Sequence, residues 1–142
     1  MLLLGNNYLA WIQSATAGTF NAIKGQGTLT DSRSQTEIDG SDKTTSGYAL
    51  VAYGLIKVDI ELELKVNLPD ANGYTRLETL ANTQTPEVFQ IRKNGTAAAL
   101  ADAIFSASCY FTIKSRKFNK DGTVDATIGI GLAAAPTVDA LA

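Results

Sequence analysis

Asp59, Glu61 and Glu63 occupy alternate positions of one segment, and carboxylates so arranged are the chain's first candidates for metal binding or for glycoside acid–base work. Lys57 and Lys65 bracket them at the same spacing. Alternate residues of an extended chain stand roughly 6–7 Å apart. With ammonium groups at either end, these carboxylates read as a solvated strand face and not as a catalytic pair. The other chemistries fall away residue by residue. The chain has no histidine, so the commonest general acid–base and the commonest neutral metal ligand are absent. Neither a Ser-His-Asp nor a Cys-His device can be built. Cys109 is the sole cysteine, so no intrachain disulfide can form, and its run Cys109-Tyr110-Phe111 predicts a small buried side chain. Asp39 to Lys43 places acidic residues beside Gly40 without the spacing of an EF-hand loop. Gly25-Gln26-Gly27 lacks the Lys-Ser/Thr ending of a phosphate loop. The reading is no catalytic residue, no metal ligand, no cofactor, and no enzyme.

The elements that carry these residues read as β structure. With 142 residues, 45% of them hydrophobic and 18% charged, the chain suits a single domain, 1–142, able to bury a core. The formal charge of −2 carries no clustered basic footprint for nucleic acid. Lys114, Arg116, Lys117 and Lys120 flank a predicted turn and read as a solvated hairpin tip. Met1-Leu2-Leu3-Leu4 has no basic lead-in and is broken by Gly5-Asn6-Asn7, so no conventional leader is expected. No apolar run approaches the length of a membrane span, and no membrane insertion is expected.

Leu55 to Leu68 is the clearest periodic segment. Ile56, Val58, Ile60, Leu62, Leu64, Val66 and Leu68 share one parity; Lys57, Asp59, Glu61, Glu63, Lys65 and Asn67 share the other. Period two over this length predicts a long strand, apolar on one face and charged on the other. Shorter strands are predicted at Tyr8 to Gln13, with Trp11 as an anchor, at Phe20 to Lys24, and at a polar Thr28 to Ile38. Asp39 to Gly54 reads as a long surface loop or an interaction arm, since its half containing Tyr48, Leu50, Val51 and Tyr53 is apolar.

Tyr74 to Thr83 carries Tyr74, Leu77, Leu80 and Ala81 at helical spacing, and the apolar side of the long strand is the surface the helix would cover. Glu87 to Lys93 is a strand, and Asn94-Gly95 after it signals a hairpin. Ala97 to Ala103 suits helix or strand. Ile104 to Lys114 and Thr123 to Ala133 are alternating strands around Asp121-Gly122, with Gly129 and Gly131 marking close backbone approach or twist relief. Residues 1–7 and 135–142 read as flexible arms. The fold class is mainly β: an antiparallel β-sandwich or open barrel with one flanking α-helix.

This order of elements resembles the major tail tube proteins of long, non-contractile-tailed bacteriophages, best over Thr28 to Ala135. The helix running into a strand through YTRLETLANTQTPEVFQIRK carries the likeness, as does the final hairpin IKSRKFNKDGTVDATIGIGLAAAPTV. The resemblance implies a structural subunit whose six-fold rings join their sheets into a continuous β-barrel and stack into a DNA conduit. It implies that Asp42, Lys43, Tyr48, Leu50, Val51 and Tyr53 meet the adjacent ring. In such a barrel the polar parity Lys57, Asp59, Glu61, Glu63 and Lys65 would line the lumen. The implied partners are further copies of the chain, tail tip and tail terminator proteins, and, in the lumen, a tape-measure protein and genomic DNA. The implied location is the virion tail, after assembly in the bacterial host cytoplasm. Two alternatives stand beside it. One is a monomeric β-sandwich binding module, carbohydrate-binding or adhesin-type, using Tyr48, Tyr53 and Tyr110; the other is the tube protein of a contractile tail or secretion machine.

Overall fold

The computed structural model describes residues 2–41 and 47–141. Among these residues, eight strands and one α-helix follow in chain order: β1 Leu9–Gln13, β2 Phe20–Ala22, β3 Gln26–Asp39, β4 Val51–Lys65, α1 Tyr74–Thr83, β5 Glu87–Arg92, β6 Ala103–Phe118, β7 Val124–Leu132 and β8 Val138–Asp139. The strands form one sheet in the order β2-β1-β5-β6-β7-β4-β3, with β8 on β6. Every pairing is antiparallel.

The alternation in β4 decides which way the sheet faces. Val58, Ile60, Leu62 and Leu64 are buried, at 7%, 1%, 0% and 2% exposure, while Lys57, Glu61, Glu63 and Lys65 are exposed. They share one core with Ala10 and Ile12 of β1, Phe89 and Ile91 of β5, Phe105 to Phe111 of β6 and Ala126 to Ile130 of β7. The Phe89 ring lies 6.4 Å from Phe105 and 6.3 Å from Phe111, at tilted and edge-on angles that suit aromatic packing. Burying a large apolar side chain contributes about 1.5–3 kcal/mol. The four β4 residues therefore help to fix the register, because a slip of one would bring Asp59 and Glu61 inward.

The sheet curls until its two ends nearly meet. Gln26, the first residue of β3, donates to Ala10 O at 2.8 Å and accepts from Ala10 N at 2.7 Å, taking a strand's place beside β1. Just before it, Gly25 has φ +74, and an added Cβ would stand 1.9 Å from Lys65 O. Only glycine fits that turn.

Helix α1 spans the residues its periodicity predicts, with Tyr74, Leu77 and Leu80 buried. Asp70 anchors its start: one carboxylate oxygen accepts from Tyr74 N at 3.2 Å and from Lys24 N at 3.1 Å. Gln84 in the left-handed region ends it, and Thr85 N donates back to Leu80 O. The helix lies beside β6, where Glu78 reaches Arg116 at 3.9 Å and Ala81 and Asn82 line a groove with Tyr110 to Ile113, and its buried Tyr74, Leu77 and Leu80 share the core with Val58, Ile60, Leu62 and Leu64 of β4. β1, β5, β6 and β7 add apolar side chains to the same core.

Several local expectations change. The long strand begins at Val51 and ends at Lys65, so Val51 and Tyr53 lie in β4, and the connection between Asp39 and Val51 is shorter than the predicted loop 39–54. Asn94 and Gly95 both have positive φ, at 72° and 62°. They nevertheless open a longer connection closed by Lys93 N donating to Asp102 O, with single 3-10 turns at Gly95–Ala97 and Leu100–Asp102 where the alanines stand. The small-residue tail, read as a loose arm, is bonded along β6: Thr137 N donates to Ser106 O and Ala140 N to Ile104 O. No helix among the described residues is long and apolar enough to cross a membrane.

Candidate functional site

The outward face of β4 is the centre of a continuous polar surface. Antiparallel register sets Thr30, Ser32 and Ser34 of β3 opposite Glu61, Asp59 and Lys57. On the other side, Gly131, Gly129, Thr127 and Asp125 of β7 stand opposite Asp59, Glu61, Glu63 and Lys65. Beyond β7 come Tyr110, Thr112, Ser115 and Lys117 of β6. All five residues predicted for a lumen, Lys57, Asp59, Glu61, Glu63 and Lys65, thus share one face.

A sixth charge enters from β6. The register jumps from Ile113 opposite Ile128 to Ser115 opposite Thr127, which leaves Lys114 as an extra residue in a bulge. Its Nζ lies 2.5 Å from Glu61 Oε1 and 4.0 Å from Asp59 Oδ1. The Glu61 hydrogen bond, and then the charges of Asp59 and Glu61, raise the Lys114 pKa. Asp125 accepts from Thr123 and Asn119 and faces Lys65 and Lys117, and these hold its carboxyl below the ordinary range. Four lysines (Lys57, Lys65, Lys114, Lys117) and four carboxylates (Asp59, Glu61, Glu63, Asp125) therefore balance on this surface. The basic cluster expected at the hairpin tip is divided: Lys114 joins the charged face, and Arg116 turns toward Glu78 on α1.

Both borders of this polar sheet are open. Among the described residues, β3 pairs with β4 alone, and β6 beyond Cys109 pairs with β7 alone. Each border therefore carries unpaired backbone donors and acceptors able to take another strand. The groove of Ala81, Asn82, Gln84 and Ile113 runs beside the β6 border.

The distal parts of β3 and β4 form a projecting two-stranded ribbon. Ile38, Leu50, Val51, Tyr53, Leu55 and Ile56 are all at least half exposed there, apart from Val51 at 49%, and Tyr48 is 75% exposed. A register shift between Gln35 and Glu37 sets two β4 residues, Gly54 and Leu55, against one of β3, so Tyr53 leaves the face of Lys57. Of the residues predicted to meet a neighbouring ring, Tyr48, Leu50, Val51 and Tyr53 lie on or beside this ribbon, while Asp42 and Lys43 lie outside the described residues. Tyr110 sits on the charged face at the level of Gly131 and Asp59. Six residues of β4, about 20 Å, separate that level from Tyr53, so the three tyrosines form no shared binding platform.

Arg92 gave no sequence signal as a buried cation. It is 5% exposed, stacks 4.5 Å from the Trp11 ring and 4.9 Å from the Phe20 ring, and donates to Gln90 Oε1 at 2.8 Å. Burial lowers its pKa. Trp11 is thus an anchor as predicted, but on the sheet face away from the main core. Cys109 is fully buried, and desolvation pushes its thiol up to about 12. Among the described residues no group of side chains could hold a metal ion.

No family model matches the sequence, and no curated protein matches it. Solved structures do. The tail of an empty gene transfer agent (GTA) particle, refined with C6 symmetry, superposes with a TM-score of 0.80 at 15% identity, covering 98% of this chain and 100% of that one. The virion of a native GTA particle gives 0.73 at 16% identity, with 98% and 100% covered. The SPP1 tail tube gives 0.68 at 14% identity, with 98% and 81% covered. Over nearly its whole length, the chain has the fold of the matched chains in these structures.

Proposed function

We propose that the protein is a structural subunit that self-assembles into six-fold rings, stacked into a tail tube that conducts DNA into a host. One observation carries the reading: a polar-faced, four-stranded sheet, β6-β7-β4-β3, whose β3 border, and whose β6 border beyond Cys109, are unpaired among the described residues. Such borders are an aggregation liability in a monomer and an asset where each must join a neighbour. Pairing the β3 border of one copy with the β6 border of the next puts every charged face on the same side. Four strands from each of six copies would close a barrel roughly 45–50 Å across its backbone. That is wide enough for a DNA duplex, with Lys57, Asp59, Glu61, Glu63 and Lys65 facing the water inside.

The apolar ribbon of Leu50, Val51, Tyr53 and Leu55, with Tyr48 beside it, then meets the adjacent ring, and the same contact is proposed for Asp42 and Lys43. In this assembly a tape-measure protein occupies the bore before DNA does. Tip and terminator proteins meet the two ends, and subunits wait in the host cytoplasm until assembly. The role is mechanical, without catalysis. Electron microscopy of the purified chain at high concentration tests the reading. Hollow rings or tubes are the expected result, and a protein that stays monomeric as concentration rises would overturn it.

A further inference from the structure

Gly129 lies at the middle of β7, opposite Glu61 on one side and Thr112 on the other. It is buried, although its strand face points outward. The Lys114 stem covers it: a Cβ added to Gly129 would stand 2.6 Å from Lys114 Cε and 3.4 Å from both Cδ and Cγ. The missing side chain leaves a trough across β7, and through it the bulged Lys114 reaches from β6 to Glu61 and Asp59 on β4.

We propose that Gly129 is a positioning residue that keeps Lys114 ion-paired across the sheet, so that the centre of the charged face offers no free ammonium to a passing polyphosphate. This rests on the tube reading. Lysines grip DNA by neutralising phosphates and releasing condensed counterions. A lysine already held by two carboxylates has less to offer, and a conduit must let its cargo slide. Lys65 is placed similarly, 3.9 Å from Asp125. How the charges are paired therefore matters, and not only their sum.

A substitution that moves Lys114 without changing charge separates those two ideas. In Gly129→Ala the new methyl meets the far end of a flexible side chain, so the strand is expected to fold and the lysine to swing free. Binding of a short DNA duplex to the full chain, followed by fluorescence anisotropy across a salt series, reads the effect. Gly129→Ala should bind several-fold more tightly than wild type at low salt. Its log-affinity should fall more steeply with log salt, by about 0.9 for each lysine that engages a phosphate. Adding Lys114→Met should restore wild-type behaviour.

A second pair of variants covers the case in which Gly129→Ala fails to fold. Glu61→Gln and Glu63→Gln each remove one carboxylate from the same face, but only the first releases Lys114, so it should bind DNA more tightly. Equal affinities for those two, wild-type binding by a folded Gly129→Ala, or tight binding that survives Lys114→Met would each overturn the proposal. Rings scored by microscopy on the same samples keep the readings apart. If rings never form while the DNA contrast persists, the tube assembly falls and the lysine clasp stands.

Discussion

The side-chain amide of Gln26 makes both an accepting and a donating hydrogen bond with the backbone of Ala10, at 2.7 and 2.8 Å. Gln26 also donates to Ile23 O at 2.9 Å, so one side chain fastens the start of β3 to β1 and to the residue that follows β2. Ala10 is fully buried, and its N–H would lose this partner if the amide were removed. Gln26→Leu should therefore lower the unfolding free energy by about 1–3 kcal/mol, the cost of leaving a buried donor unmet. Urea unfolding measures it, and an unchanged midpoint would show that the clasp contributes nothing.

Arg76 and Glu87 tie the helix to the sheet. Arg76 donates to Glu87 Oε2 and, at 2.8 Å, to Gln13 O, while Gln13 Nε2 donates to Glu87 Oε1 at 2.9 Å. The pair is mostly covered, at 19% and 17% side-chain exposure. Removing either partner falls between the small cost at an exposed pair and the 3–5 kcal/mol of a buried one. Arg76→Met is expected to cost about 2 kcal/mol. The double variant with Glu87→Gln should cost less than the two single changes added, which a double-mutant cycle would read directly.

Cys109 gives the protein an alkaline limit. Its folded thiol is raised from 9.0 to about 12 by desolvation. A thiol whose folded value is raised adds stability in full below its unfolded value, and loses it as pH rises through the folded one. Stability should therefore decline between about pH 9 and pH 12, and Cys109→Ala should flatten that part of the curve. A disulfide reagent at pH 8 should leave the folded chain unlabelled and react once urea unfolds it. Rapid labelling of the folded protein would contradict the burial.

The projecting ribbon should govern stacking separately from ring closure. Tyr53→Lys with Leu55→Lys places charges on two exposed apolar positions, 57% and 93% exposed, without touching the core. Rings are expected to persist while tubes shorten or vanish under the microscope. Tubes of unchanged length would assign the stacking contact elsewhere.

The alternation of Ile56 to Leu68 against Lys57 to Asn67 was enough to set the long strand's two faces, because a period of two admits no other regular structure. Its outer limits were not so determined: Ile56 and Leu68 keep the parity yet are 56% and 59% exposed, since burial needs an opposing layer that ends before they do. The helix was legible from Tyr74, Leu77 and Leu80, but its place beside β6 was not, because an apolar stripe specifies only that it must be covered.

The sequence by itself determined a β fold with one helix, a charged strand face, and a chain without histidine. Tertiary structure alone decided that the sheet curls onto Gln26, that Arg92 is buried under Trp11, and that Lys114 crosses Gly129 to Glu61. Fifty-three positions separate that last pair in sequence. No local pattern encodes such a contact, because it depends on one bulge, two strand registers and one missing side chain acting together.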